Sequence, residues 1–338
     1  MIKVGVFFGG ASREREVSFA GGRTVYDNLD KGLFEPIPIF VDAFGSFIRL
    51  KWEYVYRGTI RDFFPSASFL PDFEHAYQIY SESLKLSKSD YEKMISEIGE
   101  LWSIERIAAE IDFAFLSLHG NKGEDGSLQG LLEWYHIPYS GSGILPSALG
   151  VSKRVQKKWW NHSLAIGPWQ AINRHEWDKM DQEALFTELK QNLGLPFVVK
   201  ASNQGSSIGV QIVSEDSLEH FAEKVAHCFF EWHLKPEDWK EENAFAFIQE
   251  LTDLRTGLGL PLKCNDEIIH MPDQLQQRLT ACSENGQMAH LQAIPSEQEL
   301  IFEKFLKGRE FSCIVIRDQE GEAFALPPTE VVKGTELF

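Results

Sequence analysis

Hydrophobic positions along this chain fall in short blocks whose period changes from block to block. Residues 2–8, Ile-Lys-Val-Gly-Val-Phe-Phe, are nearly all apolar and stop at Gly9-Gly10, the pattern of a parallel strand buried on both faces. Val17, Ala20, Val25 and Leu29 then predict a helix, and residues 36–41 a second strand. Strand, glycine turn, helix and strand make a βαβ start, so the fold class is α/β with an N-terminal Rossmann-like parallel sheet. The turn Gly-Gly-Ala-Ser-Arg-Glu is not G-x-G-x-x-G, and no dinucleotide site is expected there. Residues 43–110 mix aromatics with helical patches and are expected to decorate this domain. Regular patterning returns with a strand at 111–118 and a helix at 127–135, whose Leu128, Leu131, Leu132 and Tyr135 share one face. The first domain is placed at 1–148.

A basic cluster, Lys153, Arg154, Lys157 and Lys158, opens the next helix. Residues 196–200 predict a strand ending in Lys200, and 210–213 a second one. Between them Ala-Ser-Asn-Gln-Gly-Ser-Ser-Ile-Gly reads as a hairpin with a flexible tip. Leu218, Phe221, Ala222, Val225, Ala226, Phe229 and Phe230 make an amphipathic helix, followed by an acidic stretch at 235–243. Strands are expected again at 300–306, 310–316 and 322–332, the last two antiparallel around Asp318-Gln319-Glu320-Gly321. This divides the remainder into a central α+β domain, 149–306, and the start of a third, 307–338. Residues 214–299 form an inserted helical lobe in the central domain.

At 338 residues the chain suggests two or three domains. A formal charge of −17 argues against nucleic acid as a partner, though not against a local basic pocket for a nucleotide. No apolar run is long enough to span a bilayer, and Met1 leads straight into a strand rather than a signal peptide. Four scattered cysteines without a C-x-x-C pair read as reduced thiols, so a cytoplasmic location without membrane association is expected. His220, His227 and His233 match no metal-ligand spacing and are read as surface or helix-face residues.

Two segments invite chemistry. Residues 118–130, Leu-His-Gly-Asn-Lys-Gly-Glu-Asp-Gly-Ser-Leu-Gln-Gly, set a histidine, glycines and two carboxylates at a strand end facing a helix N-terminus, where a polar ligand can be held. Alone they would read as a capped tight turn. Lys200 at a strand end beside the Gly/Ser hairpin suits a polyphosphate, whose oxygens backbone N–H groups can cap. The P-loop pattern is absent, and a hairpin of this composition is more often a plain turn. Glu303 and Glu310, taken alone, read as a solvated pair.

In order along the chain, residues 9–18 (Gly-Gly-Ala-Ser-Arg-Glu-Arg-Glu-Val-Ser), 118–130, Tyr139-Ser140-Gly141-Ser142-Gly143, Lys153, Lys200 with Gly205-Ser206-Ser207-Ile208-Gly209, and Glu303-Lys304-Phe305 with Glu310 resemble the D-alanine–D-alanine ligase family of the ATP-grasp superfamily. The likeness covers most of 1–42, 111–213 and 300–332. It implies a three-part ATP-dependent ligase of peptidoglycan precursor synthesis, working through an acyl phosphate, with ATP and D-alanine as its small-molecule partners and Mg²⁺ as cofactor. By the same resemblance Glu14 holds the ammonium of the first D-alanine, and His119 stands beside that substrate. Ser206 orients Glu14, and Ser206 and Ser207 belong to the phosphate-facing hairpin. Lys153 and Lys200 contact ATP phosphates, Glu303 and Leu306 line the adenine linker, and Glu310 meets the ribose. A homodimer through the first domain is a further implication.

Three departures from the family pattern stand out. Ala201 replaces the usual proline after the lysine. About ninety residues separate Gly209 from the 300–306 strand, where the family has far fewer. Family members also continue past the strand matching 330–332 into a tyrosine-bearing loop, an arginine and the Asp, Glu and Asn that hold Mg²⁺. On that ground no metal ligand is assigned in this chain, and an incomplete C-terminal domain, weak nucleotide binding and little turnover are expected of it. Alternative functions are a D-alanine–D-lactate or D-alanine–D-serine ligase of the same fold, or a non-catalytic nucleotide- or amino-acid-binding module.

Overall fold

The structure is a computed structural model and describes residues 1–71, 77–161, 164 and 166–332. Residues 333–338 of the expected third unit lie outside the described residues. The chain opens with strand β1 (Ile2–Gly9), helix α1 (Arg15–Asn28), and strands β2 (Phe34–Val41) and β3 (Phe47–Leu50). A short helix α2 (Trp52–Val55), helix α3 (Lys88–Ile98), strand β4 (Gly99–Trp102), helix α4 (Ile104–Glu110) and strand β5 (Phe113–Leu116) follow. Helices α5 (Ser127–Trp134) and α6 (Ile144–Val151) close this part. The five strands form one sheet in the order β4-β3-β2-β1-β5. β1 runs parallel to β2 and β5, while β3 and β4 add antiparallel to the β2 edge. The 43–110 region therefore supplies two strands of the main sheet rather than only decorating it. Along β1, Val4, Val6 and Phe8 pack into one core and Phe7 into the core on the opposite face, as the two-residue period of a strand requires. Gly22 lets α1 approach that strand: a Cβ there would stand 2.6 Å from Phe8.

The next layer begins with helix α7 (Lys153–Trp160), strand β6 (Trp169–Asn173), a one-turn helix α8 (Arg174–Trp177) and helix α9 (Gln182–Leu193). Strands β7 (Phe197–Ala201) and β8 (Val210–Val213) form the expected hairpin, and helix α10 (Leu218–Cys228) follows. The 214–299 region is not simply helical, as the sequence suggested, and its first helix packs with the central core through Phe221, Val225 and Cys228. Beyond it come strand β9 (Glu231–Leu234), helix α11 (Ala244–Thr252), strands β10 (Leu262–Cys264) and β11 (Glu267–Ile269), helix α12 (Pro272–Glu284) and strand β12 (Ala289–Ala293). Those four strands build an antiparallel sheet in the order β11-β10-β12-β9 with its own hydrophobic core. We call this unit the lobe.

Strand β13 (Glu299–Lys304) returns to the central sheet, ordered β6-β13-β7-β8. After it the expected pair of strands at 310–316 and 322–332 is broken into two short antiparallel ladders. These join β14 (Glu310–Ser312) to β17 (Thr329–Val331) and β15 (Val315–Arg317) to β16 (Ala323–Ala325). Their residues are exposed. Among the described residues no helix is long and apolar enough to cross a membrane.

Candidate active site

Three chain segments meet at the carboxyl ends of β1 and β5. The first is the turn between β1 and α1. Ser18, in the first turn of α1, anchors it: its Oγ accepts from Gly9 N at 2.8 Å and donates to Ser117 O at 2.8 Å, tying the ends of both strands together. Glu14 occupies the N-cap position of α1 but makes no side-chain cap. Its carboxylate is buried and turned toward the β7–β8 hairpin, where Ser206 Oγ donates a hydrogen bond to its Oε1. The positive end of α1 favours an anion at this position.

The second segment is the loop after β5. His119 Nδ1 lies 3.4 Å from Glu124 Oε1, and Glu124 Oε2 also accepts from Gly120 N at 2.7 Å. The hydrogen bond to Glu124 raises the His119 pKa, opposed by burial and helped by the charges of Glu124 and Glu14. The same bond holds the Glu124 carboxyl below its ordinary range. Gly120 has no side chain to intrude on Glu14: a Cβ there would stand 3.4 Å from Glu14 Oε2, and one on Gly205 would stand 3.1 Å away. Two glycines from different layers thus bracket one carboxylate.

The third segment is the hairpin. Ser206 and Ser207 sit at φ of 49° and 60°, the left-handed region that non-glycine residues seldom adopt, and they present exposed side chains at the tip. Ile208 N bonds Gly205 O at 2.9 Å, and Ala201 N bonds Gly209 O at 2.8 Å. At the hairpin's base Lys153 Nζ donates to Gln204 O, and Gln204 Nε2 donates to Glu297. Burial lowers the Lys153 pKa, assisted by Lys200, and raises that of Glu297. Sequence reasoning did not single out Glu297 or Gln204; no motif marks them, and only the fold brings the β12–β13 connection under the hairpin.

Register explains the cationic face beside it. Lys200 pairs with Ile301 across β7 and β13, so Glu303, two residues further on, shares its face on the diagonal. Lys153 and Lys157 lie one helical turn apart on α7 and face the same region. Glu303 bridges Lys157 at 2.5 Å and Lys200. Burial works to raise the Glu303 pKa, but the two lysine hydrogen bonds and charges outweigh it and hold the carboxyl below its usual range. The two residues named as separate nucleotide contacts are therefore partners of each other. Leu306 and Glu310 are exposed beyond the end of β13. Among the described residues no group of three or more His, Cys, Asp or Glu side chains is arranged to hold a metal ion. His220 lies 3.7 Å from Glu215, His227 Nδ1 accepts from Trp232 Nε1 at 2.8 Å, and His233 faces His290 across the lobe sheet.

A family model described as the D-ala D-ala ligase N-terminus matches residues 3–142, and one described as the D-ala D-ala ligase C-terminus matches 159–229. The D-alanine–D-alanine ligase of Natranaerobius thermophilus is 35% identical over 215 residues, covering 63% of this chain and 53% of that protein. The enzyme of the same name from Mycobacterium ulcerans is 35% identical over 218 residues, covering 63% and 53%. The chain spans about half the length of the curated relatives it matches. Among solved structures, the D-alanine–D-alanine ligase of Coxiella burnetii superposes with a TM-score of 0.58 at 18% identity, over 98% of this chain and 71% of that one. The VanG D-Ala:D-Ser ligase of Enterococcus faecalis gives 0.55 at 21% identity, over 97% and 69%. At such identities these two structures speak for the fold alone, which this chain shares. With two consecutive family models spanning more than half its residues, the chain belongs to the D-alanine–D-alanine ligase family.

Proposed function

We propose that this protein takes part in the ATP-dependent joining of two D-alanines for peptidoglycan precursor synthesis. The observation that carries the reading is the Ser206–Glu14 hydrogen bond, because it couples a buried carboxylate suited to an ammonium with a hairpin suited to phosphates. When bound, ATP supplies a phosphoryl group that turns a D-alanine carboxylate into an acyl phosphate, which the amine of the second D-alanine attacks with loss of phosphate. The chain's own contribution is positioning and charge. Glu14 receives the first ammonium, and His119, whose pKa the hydrogen bond to Glu124 raises, faces the same substrate. Lys153 and Lys200 balance phosphate charge, with Ser206 and Ser207 offering hydroxyls and backbone N–H groups at the tip. Glu303, Leu306 and Glu310 line the nucleotide's base and ribose side. The donor set of Lys157 and Lys200 on the Glu303 carboxylate, with Lys153 on the Gln204 carbonyl, fits a polyphosphate. The described residues offer no cluster suited to Mg²⁺, and no step here is routed through one.

Domains at 1–148, 149–306 and 307–338, a homodimer and a cytoplasmic setting belong to the same proposal. The test is phosphate release by the purified protein with ATP and D-alanine, paired with mass detection of D-alanyl-D-alanine. Dipeptide formed in step with phosphate supports the reading. ATP and D-alanine binding without product turns it into a binding module, and product only with D-serine or D-lactate reassigns the second substrate.

A further inference from the structure

The lobe is not a bystander to the site. The family match ends at residue 229, and apart from Ile208 the buried residues of the lobe's core run from Phe230 to Ala293. From there two contacts return to the site from different directions. Ile208, at the hairpin tip beside Ser206 and Ser207, is buried as a member of the lobe core. Phe230 itself sits at φ 58°, and its ring packs closely on Gly209, where a Cβ would stand 3.2 Å from the ring and 3.0 Å from the Ala201 Cβ. The hairpin tip is thus seated on the lobe.

The other contact comes from Arg13, the residue next to Glu14. Its Nη1 donates to Leu254 O at 2.6 Å and Gly257 O at 2.7 Å, and Nη2 donates to Leu258 O at 3.4 Å. Its guanidinium lies 3.8 Å from the centre of the Phe230 ring. Three carbonyls and an aromatic face satisfy a planar cation in a way a lysine ammonium cannot fully copy. Burial lowers its pKa to about 10, so Arg13 stays charged throughout the physiological range. The same lobe segment is tied once more to the first domain, where Leu254 N donates to Tyr80 Oη at 3.0 Å.

These contacts close a ring: lobe to Arg13, Arg13 to its neighbour Glu14, Glu14 to Ser206, Ser206 through Ile208 and Gly209 back to the lobe. We infer that Arg13 is a positioning residue, through which the lobe sets the Glu14 carboxylate against the hairpin and so defines the pocket for the first amino acid's ammonium. The amino-acid part of this inference rests on the function proposed above; the mechanical part does not. Arg13 touches no reacting atom in this scheme. Its effect is felt on the amino-acid side, since the lysines that face the phosphates are held by Gln204 and Glu303 instead.

The experiment compares the wild-type protein with Arg13→Met and Arg13→Lys by two readouts. In steady-state turnover, Arg13→Met raises the KM for the first D-alanine by about tenfold or more, as loss of hydrogen bonds to a charged group implies, and moves the KM for ATP by less than about twofold. Arg13→Lys, which keeps the charge and part of the bonding, recovers part of that loss. In hydrogen exchange, Arg13→Met exchanges faster at 11–15 and 203–209 while α12, within the lobe core, is unchanged. Equal shifts in both KM values, unchanged exchange at 203–209, or loss of protection throughout the lobe would each overturn the inference. A wild-type protein with no D-alanine turnover would sink the proposed function, and the exchange comparison would still decide the role of Arg13.

Discussion

Ser206 Oγ donates to Glu14 Oε1, joining the turn after the first strand to a hairpin tip 192 residues later in the chain. A hydrogen bond to a carboxylate in a buried setting is worth about 1.5–3 kcal/mol. Ser206→Ala therefore weakens binding of the first D-alanine by roughly tenfold or more, weakens nucleotide binding less, and lowers thermal stability. Calorimetric titration with D-alanine and, separately, with a non-hydrolysable ATP analogue reads both. Equal weakening of the two would show that Ser206 serves the phosphates and not Glu14.

Glu303 is the hub of a second arrangement, because its carboxylate is shared by Lys157 and Lys200. Side-chain exposures of 19–20% place all three between surface and core, where breaking a pair leaves a poorly solvated charge. Glu303→Gln is expected to cost about 1–3 kcal/mol of stability at pH 7. The sign with pH follows from the lowered pKa of the folded carboxyl. The stabilisation is present above the ordinary value of 4.5 and is lost as pH falls through the lower folded value. The gap between urea melts of wild type and variant should narrow as pH is lowered from 7 through the acid range; a constant gap would mean that packing rather than charge is responsible.

How legible this was in the chain depended on period. The buried run at 2–8 and the β7–β8 hairpin were readable because their apolar positions are dense or alternate cleanly, and the structure has them at Ile2–Gly9, Phe197–Ala201 and Val210–Val213. β3 and β4 escaped because each is four residues long and set among aromatics that serve two cores. The lobe sheet escaped for a similar reason, its strands being three to five residues. At the site, Glu14, His119 and Ser206 were visible as motif members. Arg13 lay inside a quoted motif without a role, since its carbonyl partners are more than 240 residues away. The Lys200–Glu303 pairing needed the β7–β13 register, which no local pattern encodes.

Phe221 tests the central core that carries the hairpin. Its ring stacks on Phe186 at 4.8 Å and 13°, and meets Trp177, Phe197 and Phe302 edge-on or tilted. It is fully buried. Removing the ring leaves a cavity among aromatics that cannot collapse together, so Phe221→Ala should cost about 3–5 kcal/mol. Phe221→Leu should recover a large part of that. Denaturant titration with an unchanged m-value checks this, and a loss under 1 kcal/mol for Phe221→Ala would mean that the site relaxes.

His119 offers the most direct electrostatic reading of the amino-acid pocket. Glu124 holds its pKa above the ordinary 6.5, and the charge of Glu14 adds to the effect. Since both His119 and Glu124 are more than a third exposed, solvent screens the pair and only a small contribution to stability is expected. That contribution is full below pH 6.5 and fades as pH rises through the raised folded value. NMR titration of the His119 ring should give a midpoint above 6.5 in wild type. Glu124→Gln should lower it substantially and Glu14→Gln slightly, because the hydrogen bond to Glu124 is the larger cause. A larger drop in Glu14→Gln than in Glu124→Gln would reverse that order and make Glu14 the principal partner of the imidazolium.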